Sequence, residues 1–282
     1  MKKEKYYYIP YNEQIFALLM NFKIKHRVYT DAAGRLTQLQ FTLYDDGAYW
    51  PIFAPILPKS NVDKMIFSDE EMLAAPWLTV RTDCMRAESR NEEKTFRYEC
   101  FETRYNTNGT PYEIAHHFEQ VAPYELKPIK WDAKHHVDAG CVEQFFTVFC
   151  DGQVKTALES GGVKGVEFSP VIWSRKKGMH LPDTYQITPL GQIPREAITI
   201  DAEQTVRREC PICHKERYDF TNTMRLIVED KYLDPKCDFY NTVRIFGFRP
   251  PHAIMVVSQK VYRILTEAEL TRNLVFEPVV LT

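Results

Sequence analysis

Two segments of the chain share one pattern of apolar and polar positions. Each consists of an apolar run, a polar residue, two apolar residues four positions apart, and the ending Phe-x-Pro-Val. The first copy comprises residues 145–149, Asp151, Val154, Leu158 and 168–171, and the second comprises 253–257, Ser258, Val261, Leu265 and 276–279. A chance likeness between two amphipathic segments would explain the helical spacing, which is common, but not the matching polar positions and endings. The pattern therefore predicts a duplicated building block that closes each of two related halves.

The shared block is predicted to fold as strand, helix and strand. The apolar runs are short and rich in β-branched or aromatic residues, as buried strands are. Asp151 and Ser258 stand where a helix N-cap is needed, with side-chain oxygens able to accept from free backbone N–H groups. Gly161 follows the first helix at the position of a left-handed C-cap, which glycine adopts without a Cβ clash. The proline in each ending favours an edge strand, because it offers no N–H to a neighbouring strand.

Between the N-terminus and the first repeat, the sequence adds strands and two signals for the start of a helix. Leu39, Phe41 and Leu43 alternate with the polar Gln40 and Thr42, and residues 6–9 and 96–105 are also strand-like. Residues 68–71 and 110–113 read as capping boxes, in which a Ser or Thr and a Glu three positions later satisfy each other's backbone N–H groups. Each box predicts a short helix directly after it.

Together these elements predict an α+β protein with mixed sheets and short helices, arranged as two related halves. The polar segment 174–182 contains Gly and Pro and is typical of a linker. It divides the chain into a predicted N-terminal α+β domain, residues 1–175, and a C-terminal α+β domain, residues 176–282. The first domain ends in the first repeat, and the second contains a cysteine-rich turn and the second repeat.

Composition and charge argue against several classes of function. The formal net charge is −2, with 26% charged and 44% hydrophobic residues, so there is no electrostatic case for binding nucleic acid or an anionic membrane. No apolar run approaches the roughly 20 residues that span a bilayer. The stretch 15–20 is too short for a signal peptide and runs into lysines, which predicts a cytosolic protein. Seven cysteines, an odd number, fit reduced thiols in that compartment.

The turn Cys210-Pro211-Ile212-Cys213-His214 is the most chemically suggestive sequence in the chain. A c-type haem attachment would require export, and a thioredoxin-like pair would require a helix start that the charged flanks do not signal. A zinc knuckle would use Cys210 and Cys213 as ligands, with Cys237 or His214 as the next candidates for the four that tetrahedral zinc needs. The other interpretation is a reduced, metal-free remnant of a knuckle. The predicted cofactor is therefore none, or one structural zinc.

Two histidine pairs are further metal candidates. His116-His117 falls on the helix predicted after the second capping box, where neighbours lie 100° apart and cannot easily share a metal. His135-His136 lies beside Asp132 and Asp138, which makes a metal site conceivable. Neither pair has the H-x-x-x-H spacing of a helical metal site, so both are expected to be surface histidines.

Motifs of common active sites are missing from the sequence. Residues 161–165, Gly-Gly-Val-Lys-Gly, lack the spacing of a phosphate-binding loop and follow a helix instead of opening one. There is no G-x-S-x-G and no H-E-x-x-H. The sequence therefore predicts no catalytic residues and a function other than catalysis.

A set of residues, most of them in the C-terminal half, carries a resemblance to a known family. The residues that carry the resemblance are 256–265, Leu270 and 276–279 at the end of the chain, together with the first repeat, 185–191, Cys210, Cys213 and Asp238-Phe239. They resemble the signature of the polymorphic-toxin immunity superfamily, and most nearly its double-CxxCG motif proteins. The sequence departs from that motif in two ways, because His214 replaces the glycine after the knuckle and a second C-x-x-C is absent. The resemblance thus extends to the scaffold and not to zinc binding.

This resemblance implies an immunity protein that acts in the cytosol of the producing cell. It would bind a cognate secreted or contact-delivered toxin domain and block its active site, through an interface of typically ~800 Å² per partner with a few aromatic or Arg anchors. The alternative is a zinc-knuckle module, built on Cys210 and Cys213, that binds nucleic acid or regulates. A third hypothesis, an enzyme with dispersed catalytic residues, would need a deep polar cleft with perturbed titratable groups.

Overall fold

The computed structural model divides the chain into two compact units. The first comprises residues 1–71, and the second contains the described residues from Met72 onward. The structure describes residues 1–58, 62–82, 84–90, 92–105, 108–142, 145–176, 178–199, 207–209, 216–218, 225–246 and 252–282. Within these ranges, no helix has both the length and the apolar character needed to cross a lipid bilayer.

The first unit is an antiparallel sheet covered on one face by helices. Its strands lie in the order β2-β3-β1-β4. The elements are β1 (Lys2–Pro10), α1 (Glu13–Asn21), β2 (His26–Thr30), β3 (Leu36–Tyr44), α2 (Trp50–Phe53) and β4 (Val62–Ile66). Helix α1 begins after Asn12, whose side chain accepts from the Ile15 N–H at 3.0 Å. The predicted alternation in β3 is confirmed, because Leu39, Phe41 and Leu43 are buried on the helix side.

The second unit contains mixed sheets and short helices, which confirms the predicted α+β class. Helix α3 (Asp69–Ala74) leads into it. Its first elements are β5 (Trp77–Thr82), β6 (Ser89–Arg90), α4 (Glu92–Thr95), β7 (Phe96–Tyr105), β8 (Pro111–Gln120), β9 (Glu125–Leu126), β10 (Val137–Val142), β11 (Phe145–Cys150), α5 (Gly152–Ser160), β12 (Val166–Trp173) and β13 (His180–Pro189). The later ones are β14 (Gly191–Ile193), β15 (Ile198–Thr199), β16 (Arg207–Glu209), β17 (Glu216–Tyr218), β18 (Ile227–Val228), β19 (Phe239–Phe246), β20 (His252–Ser258), α6 (Gln259–Glu267), β21 (Leu274–Pro278) and β22 (Val280–Leu281).

The two repeats have the same topology in two different sheets. One sheet has the order β10-β11-β13-β12-β9-β6, and the other has the order β16-β17-β19-β20-β5-β21, with β14 beside β19. In each sheet an antiparallel hairpin leads into the repeat, as β10-β11 and as β19-β20. The two strands joined by the repeat helix are parallel and enclose one antiparallel strand between them.

The enclosed strands are exchanged between the repeats. Strand β5 precedes the first repeat along the chain but lies in the sheet of the second, whereas β13 precedes the second repeat and lies in the sheet of the first. Their registers match residue for residue. Ile187 pairs with Val148 and Phe168 in the first sheet, and Val80 pairs with the equivalent residues Met255 and Phe276 in the second. The twin sequence segments therefore fold alike, and each sheet needs a strand from outside its own repeat.

The repeat helices pack together over the apolar faces of both sheets. Val154 and Leu158 of α5 and Val261 and Leu265 of α6 are all buried, as their spacing predicts. They border a small apolar cavity of about 20 Å³, with room for about one water molecule. The apolar positions of the repeat thus form a packed core.

Asp151 and Ser258 both occupy N-cap positions, but only one caps as predicted. Asp151 Oδ1 accepts from the N–H groups of Gln153 and Val154, each at 3.1 Å. The Ser258 side chain makes no hydrogen bond to its helix. Its hydroxyl donates instead to Asp238 Oδ1 at 2.6 Å, because that carboxylate lies beside it.

The C-terminal cap of α5 lies one residue later than predicted. Gly161 has a φ of −73°, and the left-handed residue is Gly162, with a φ of +63°. The N–H groups of Gly162 and Val163 donate to the carbonyls of Glu159 and Leu158, which is the Schellman arrangement.

Each repeat proline has a paired strand on one side only, as predicted, but for a different reason in each repeat. Pro278 lies in β21, the last strand of its sheet. Pro170 lies in β12, which has a neighbour on both sides, but β9 pairs with β12 only at Ile172 and Trp173. Each proline therefore needs no N–H for a second neighbour.

The first capping box is confirmed and the second is wrong. Ser68 Oγ accepts from the Glu71 N–H at 3.2 Å, and Glu71 Oε2 accepts from the Ser68 N–H at 2.9 Å. Residues 111–113 instead begin strand β8, which pairs with β7 as an antiparallel hairpin. Local turn chemistry competes with the helix here, because the Asn108 side chain accepts from the N–H of Thr110 and fixes a turn.

The compact units follow a different division from the predicted domains 1–175 and 176–282. Residues 175 and 176 both lie inside the second unit. The physical reason is the strand exchange, since β5 and β13 each join the sheet of the other repeat. Neither repeat has a complete sheet of its own on one side of that boundary.

Candidate metal centre and exposed tyrosine face

Three side chains converge where the first repeat begins. Cys84 follows β5 by two residues, His135 precedes β10 by two residues, and Asp138 is the second residue of β10. The backbone holds them together, because the Ala139 N–H donates to the Cys84 carbonyl at 2.8 Å. The site therefore joins the end of the strand that lies in the second repeat's sheet to the first strand of the other sheet.

The donor atoms of these residues lie within hydrogen-bond range of one another. His135 Nε2 is 2.9 Å from Asp138 Oδ2 and 3.2 Å from Cys84 Sγ. Cys84 Sγ is 3.6 Å from the same carboxylate oxygen. His135 and Asp138 are buried, whereas Cys84 is half-buried. One thiol, one imidazole nitrogen and one carboxylate oxygen thus face a common point.

Backbone groups make hydrogen bonds to the atoms of His135 and Asp138 that face away from the cluster. The Lys130 carbonyl lies 3.1 Å from His135 Nδ1, and since a carbonyl only accepts, Nδ1 carries the hydrogen. Asp138 Oδ1 accepts from the N–H groups of Arg86 and Ala87, at 2.7 and 3.1 Å. These contacts leave Nε2 and Oδ2 as the inward-facing atoms.

The arrangement does not suit a nucleophilic thiol. A Cys-His-Asp relay places the thiol and the carboxylate on opposite nitrogens of the ring, but here both lie at Nε2 of His135. Burial and the adjacent Asp138 carboxylate also raise the pKa of Cys84, whereas an activated thiol has a lowered pKa. The three groups are therefore not arranged as a Cys-His-Asp catalytic relay.

A surface cleft borders the cluster on the Cys84 side. Its volume is about 340 Å³. Its lining residues are Cys84, Met85, Arg86, Arg272, Asn273, Leu274 and Val275. Cys84 is thus the member of the cluster that solvent and small reagents reach.

A second polar pair lies at the base of each repeat helix. His136 Nδ1 donates to Asp151 Oδ2 at 2.7 Å, and both residues are buried. In the second repeat, Ser258 donates to Asp238. His136 and Asp238 each precede the first strand of the repeat hairpin and accept through their carbonyls from Asp151 N and Ser258 N. These pairs fix the helix starts and are structural.

The first unit exposes an aromatic face of its sheet. Tyr8 and Tyr44 are each 40% exposed on the side opposite the helices. Tyr8 donates to Gln38, and Tyr44 donates to Glu4 at 3.2 Å. Tyr29 lies edge-on to Tyr8, with 5.6 Å between ring centroids. We call Tyr8, Tyr29 and Tyr44 the tyrosine face.

The other residues predicted as metal ligands or histidine sites do not join this cluster in the part of the chain that the structure describes. Cys210, Cys213 and His214 lie outside the described residues. Cys237 is described and half-buried, and its thiol donates to the Phe239 carbonyl at 3.2 Å. His116-His117 lies on strand β8, not on a helix, so the argument from helical spacing is wrong.

The expectation that His135-His136 lies on the surface is wrong. The two residues are 2% and 6% exposed. Each has a carboxylate partner, Asp138 or Asp151, which offsets the cost of burying a polar ring. Asp138, close to His135 in the chain, was the sequence signal for this outcome. Asp151 is 15 residues from His136, and nothing in the sequence connects the site to Cys84, which is 51 residues from His135.

Neither the family models nor the curated proteins compared with the chain match it.

Proposed function

We propose that this chain is an immunity protein, which binds a cognate toxin domain in the cytosol of the producing cell and blocks its activity. The sequence resemblance of the C-terminal half supports this proposal. The residues that carry the resemblance include Val261, Leu265 and Pro278, which lie in the packed core and its edge strand. The shared signature thus encodes a scaffold, as expected where the surface carries specificity.

The observation that carries the proposal is the tyrosine face. Tyrosine supplies a large amphipathic contact area with few rotatable bonds, and aromatic residues dominate the energetic centres of protein interfaces. The hydroxyl groups of Tyr8 and Tyr44 are already held by neighbouring side chains. Such preorganised side chains lose little conformational entropy on binding. This face is therefore our candidate contact surface for the toxin domain.

Co-expression with a candidate toxin gene from the neighbourhood of the gene for this chain tests the function. The toxin alone is expected to kill the cells, and the toxin with this protein is expected to be tolerated. The purified pair should also form a stable complex. Death in spite of full expression of this protein would overturn the proposal.

Alanine variants test the contact surface separately from the function. The double variant Tyr8→Ala with Tyr44→Ala should lose protection, since each interface anchor contributes about 2 kcal/mol or more. Tyr49→Ala is the matched control, because Tyr49 is equally exposed, at 41%, but packs against Phe22 beside the helices. Protection by the wild type together with full protection by the double variant would keep the function and reject this face.

A further inference from the structure

We propose that Cys84, His135 and Asp138 bind a zinc ion. This site differs from the knuckle predicted at Cys210 and Cys213, and it does not depend on the toxin-neutralising function. Its donors come from two points of the chain, one at Cys84 and one at His135 and Asp138, and the hydrogen bond from the Ala139 N–H to the Cys84 carbonyl holds these points together.

The spacing of the three donor atoms fits a tetrahedral ion. Ligands 2.0–2.3 Å from a zinc ion stand roughly 3.3–3.6 Å apart along the edges of a tetrahedron. The three observed separations are 2.9, 3.2 and 3.6 Å. Side-chain movements of a few tenths of an ångström would open the two shorter separations to that range.

The hydrogen bonding of His135 leaves a place for a cation. Nδ1 donates to the Lys130 carbonyl, so a neutral ring presents the lone pair of Nε2 to the Asp138 carboxylate. Two acceptors at 2.9 Å repel each other unless a proton or a metal ion lies between them. A proton would join Nε2 to Oδ2 and leave the Cys84 thiol to donate separately to Oδ2, whereas one metal ion would engage all three donor atoms at once.

The outer contacts are those that metal ligands commonly have. A ligating histidine usually donates its other N–H to a carbonyl or carboxylate, and a ligating carboxylate is itself hydrogen-bonded. Lys130 fills the first role, and the Arg86 and Ala87 N–H groups fill the second. The Cys84 N–H donates to Thr82 Oγ1 at 3.1 Å, which fixes the backbone of the third ligand. The site is therefore preorganised before any ion enters.

The ligand types select zinc over the abundant hard cations. Calcium and magnesium prefer oxygen ligands, whereas a thiolate with an imidazole suits zinc. The protein provides three ligands, and the fourth position is left for water from the cleft that Cys84 borders. Because Cys84 follows β5 and Asp138 lies in β10, the ion would link the two sheets of the repeats.

Metal content of the full-length protein is the first test. Wild-type protein dialysed against a buffered zinc solution should retain one zinc more than the Cys84→Ser and Asp138→Asn variants. The control variant, Cys210→Ser with Cys213→Ser, should retain the zinc at the new site. Equal zinc content in wild type, Cys84→Ser and Asp138→Asn would overturn the proposal, and so would a wild type that binds no zinc.

Cobalt identifies the ligands in the same set of proteins. Cobalt(II) bound to a thiolate gives a ligand-to-metal charge-transfer band, which should persist in the double knuckle variant and disappear in Cys84→Ser. A band lost only from the knuckle variant would assign the ion to Cys210 and Cys213 and overturn the proposal.

Alkylation of the wild type tests the site without any variant. Cys84 is accessible from the cleft, so iodoacetamide should modify it in chelator-treated protein and modify it several-fold more slowly after zinc is added. The chelator-treated protein without added zinc is the reference, because its Cys84 differs only in the absence of the ion. Peptide mass spectrometry measures both rates. Equal Cys84 rates with and without zinc would overturn the proposal even if the variants fail to fold.

Discussion

Gly161 at the end of α5 lies directly against Ile264 of α6. A Cβ built on Gly161 would stand 2.3 Å from Ile264 Cδ1 and 3.2 Å from the Ala157 carbonyl oxygen. Beside this contact, Lys260 Nζ donates to the Gly162 carbonyl at 2.6 Å. The two helices belong to the two repeats, so the missing side chain of Gly161 allows the repeats to pack closely.

Gly161→Ala should therefore destabilise the second unit through this one contact. The backbone at Gly161 suits any residue, since its φ is −73°. The expected cost is overpacking, about 1–3 kcal/mol in the free energy of unfolding. Ile264→Val removes Cδ1 and should recover part of that cost in the double variant. Urea unfolding of the four proteins gives the coupling energy, and strictly additive effects would contradict the contact.

Each repeat helix is followed by a residue with a left-handed backbone conformation. Substitutions at these two equivalent positions can be compared directly. Gly162 and Glu269 occupy the same position, with φ values of +63° and +59°, but only one is glycine. A non-glycine residue costs about 1–2 kcal/mol in this conformation. Glu269→Gly should raise the free energy of unfolding by about 0.5–1 kcal/mol, because glycine's greater unfolded-state entropy offsets part of the gain.

Gly162→Ala is the converse variant. No atom lies closer to the added Cβ than Lys260 Nζ at 3.8 Å, so backbone strain is the main cost. We expect a loss of about 1 kcal/mol. Thermal unfolding of both variants measures the changes, and changes of the same sign would be inconsistent with this account.

Sequence patterns correctly predicted the features that depend on residues close together in the chain. The strand-helix-strand repeat, the buried faces of both repeat helices and the capping box at Ser68 all follow from spacing within a few residues. The second box failed for a local reason as well, because the turn held by Asn108 leads into a hairpin. Where two local signals compete, the pairing of whole strands decides, and spacing alone does not encode it.

The strand exchange and the metal cluster depend on distant pairing. Val80 lies between Met255 and Phe276, and alternation within β5 carries no information about which strands it joins. The residues of the cluster are also far apart in the chain, and the hydrogen bond from the Ala139 N–H to the Cys84 carbonyl holds Cys84 beside His135 and Asp138. The sequence marked the two ligands that lie near each other in the chain and missed the third.

The polar pairs at the starts of helices α5 and α6 should contribute unequally to the free energy of unfolding. Asp151→Ala removes the acceptor of two helix N–H groups and of His136, and leaves the His136 ring and the Val154 N–H buried without that partner. We expect a loss of about 2–4 kcal/mol. Ser258→Ala removes one hydrogen bond to Asp238 and should cost about 1 kcal/mol. Denaturant unfolding compares the two, and a larger effect at Ser258 would count against the different roles of these caps.

Tyr240 should make stability depend on alkaline pH. Its hydroxyl accepts from the Asp234 N–H at 2.7 Å and donates to the Asp234 carbonyl at 3.1 Å. Burial, followed by the negative charge of a Cys237 thiolate, raises the pKa of Tyr240 from 10.0 to about 12. Between these values the unfolded chain releases the phenolic proton while the folded protein retains it. The stability contributed by this group is therefore complete below pH 10 and is lost as the pH rises towards 12.

Tyr240→Phe isolates this contribution. The variant loses both hydrogen bonds to Asp234 and should be less stable than the wild type at neutral pH, by about 1–2 kcal/mol. Above pH 10 the difference should shrink, with a limiting slope of about 1.4 kcal/mol per pH unit, because only the wild type has this linked proton. Urea unfolding at intervals from pH 8 to pH 11 measures both curves. If they stay parallel over the whole range, the Tyr240 proton is not linked to folding in this way.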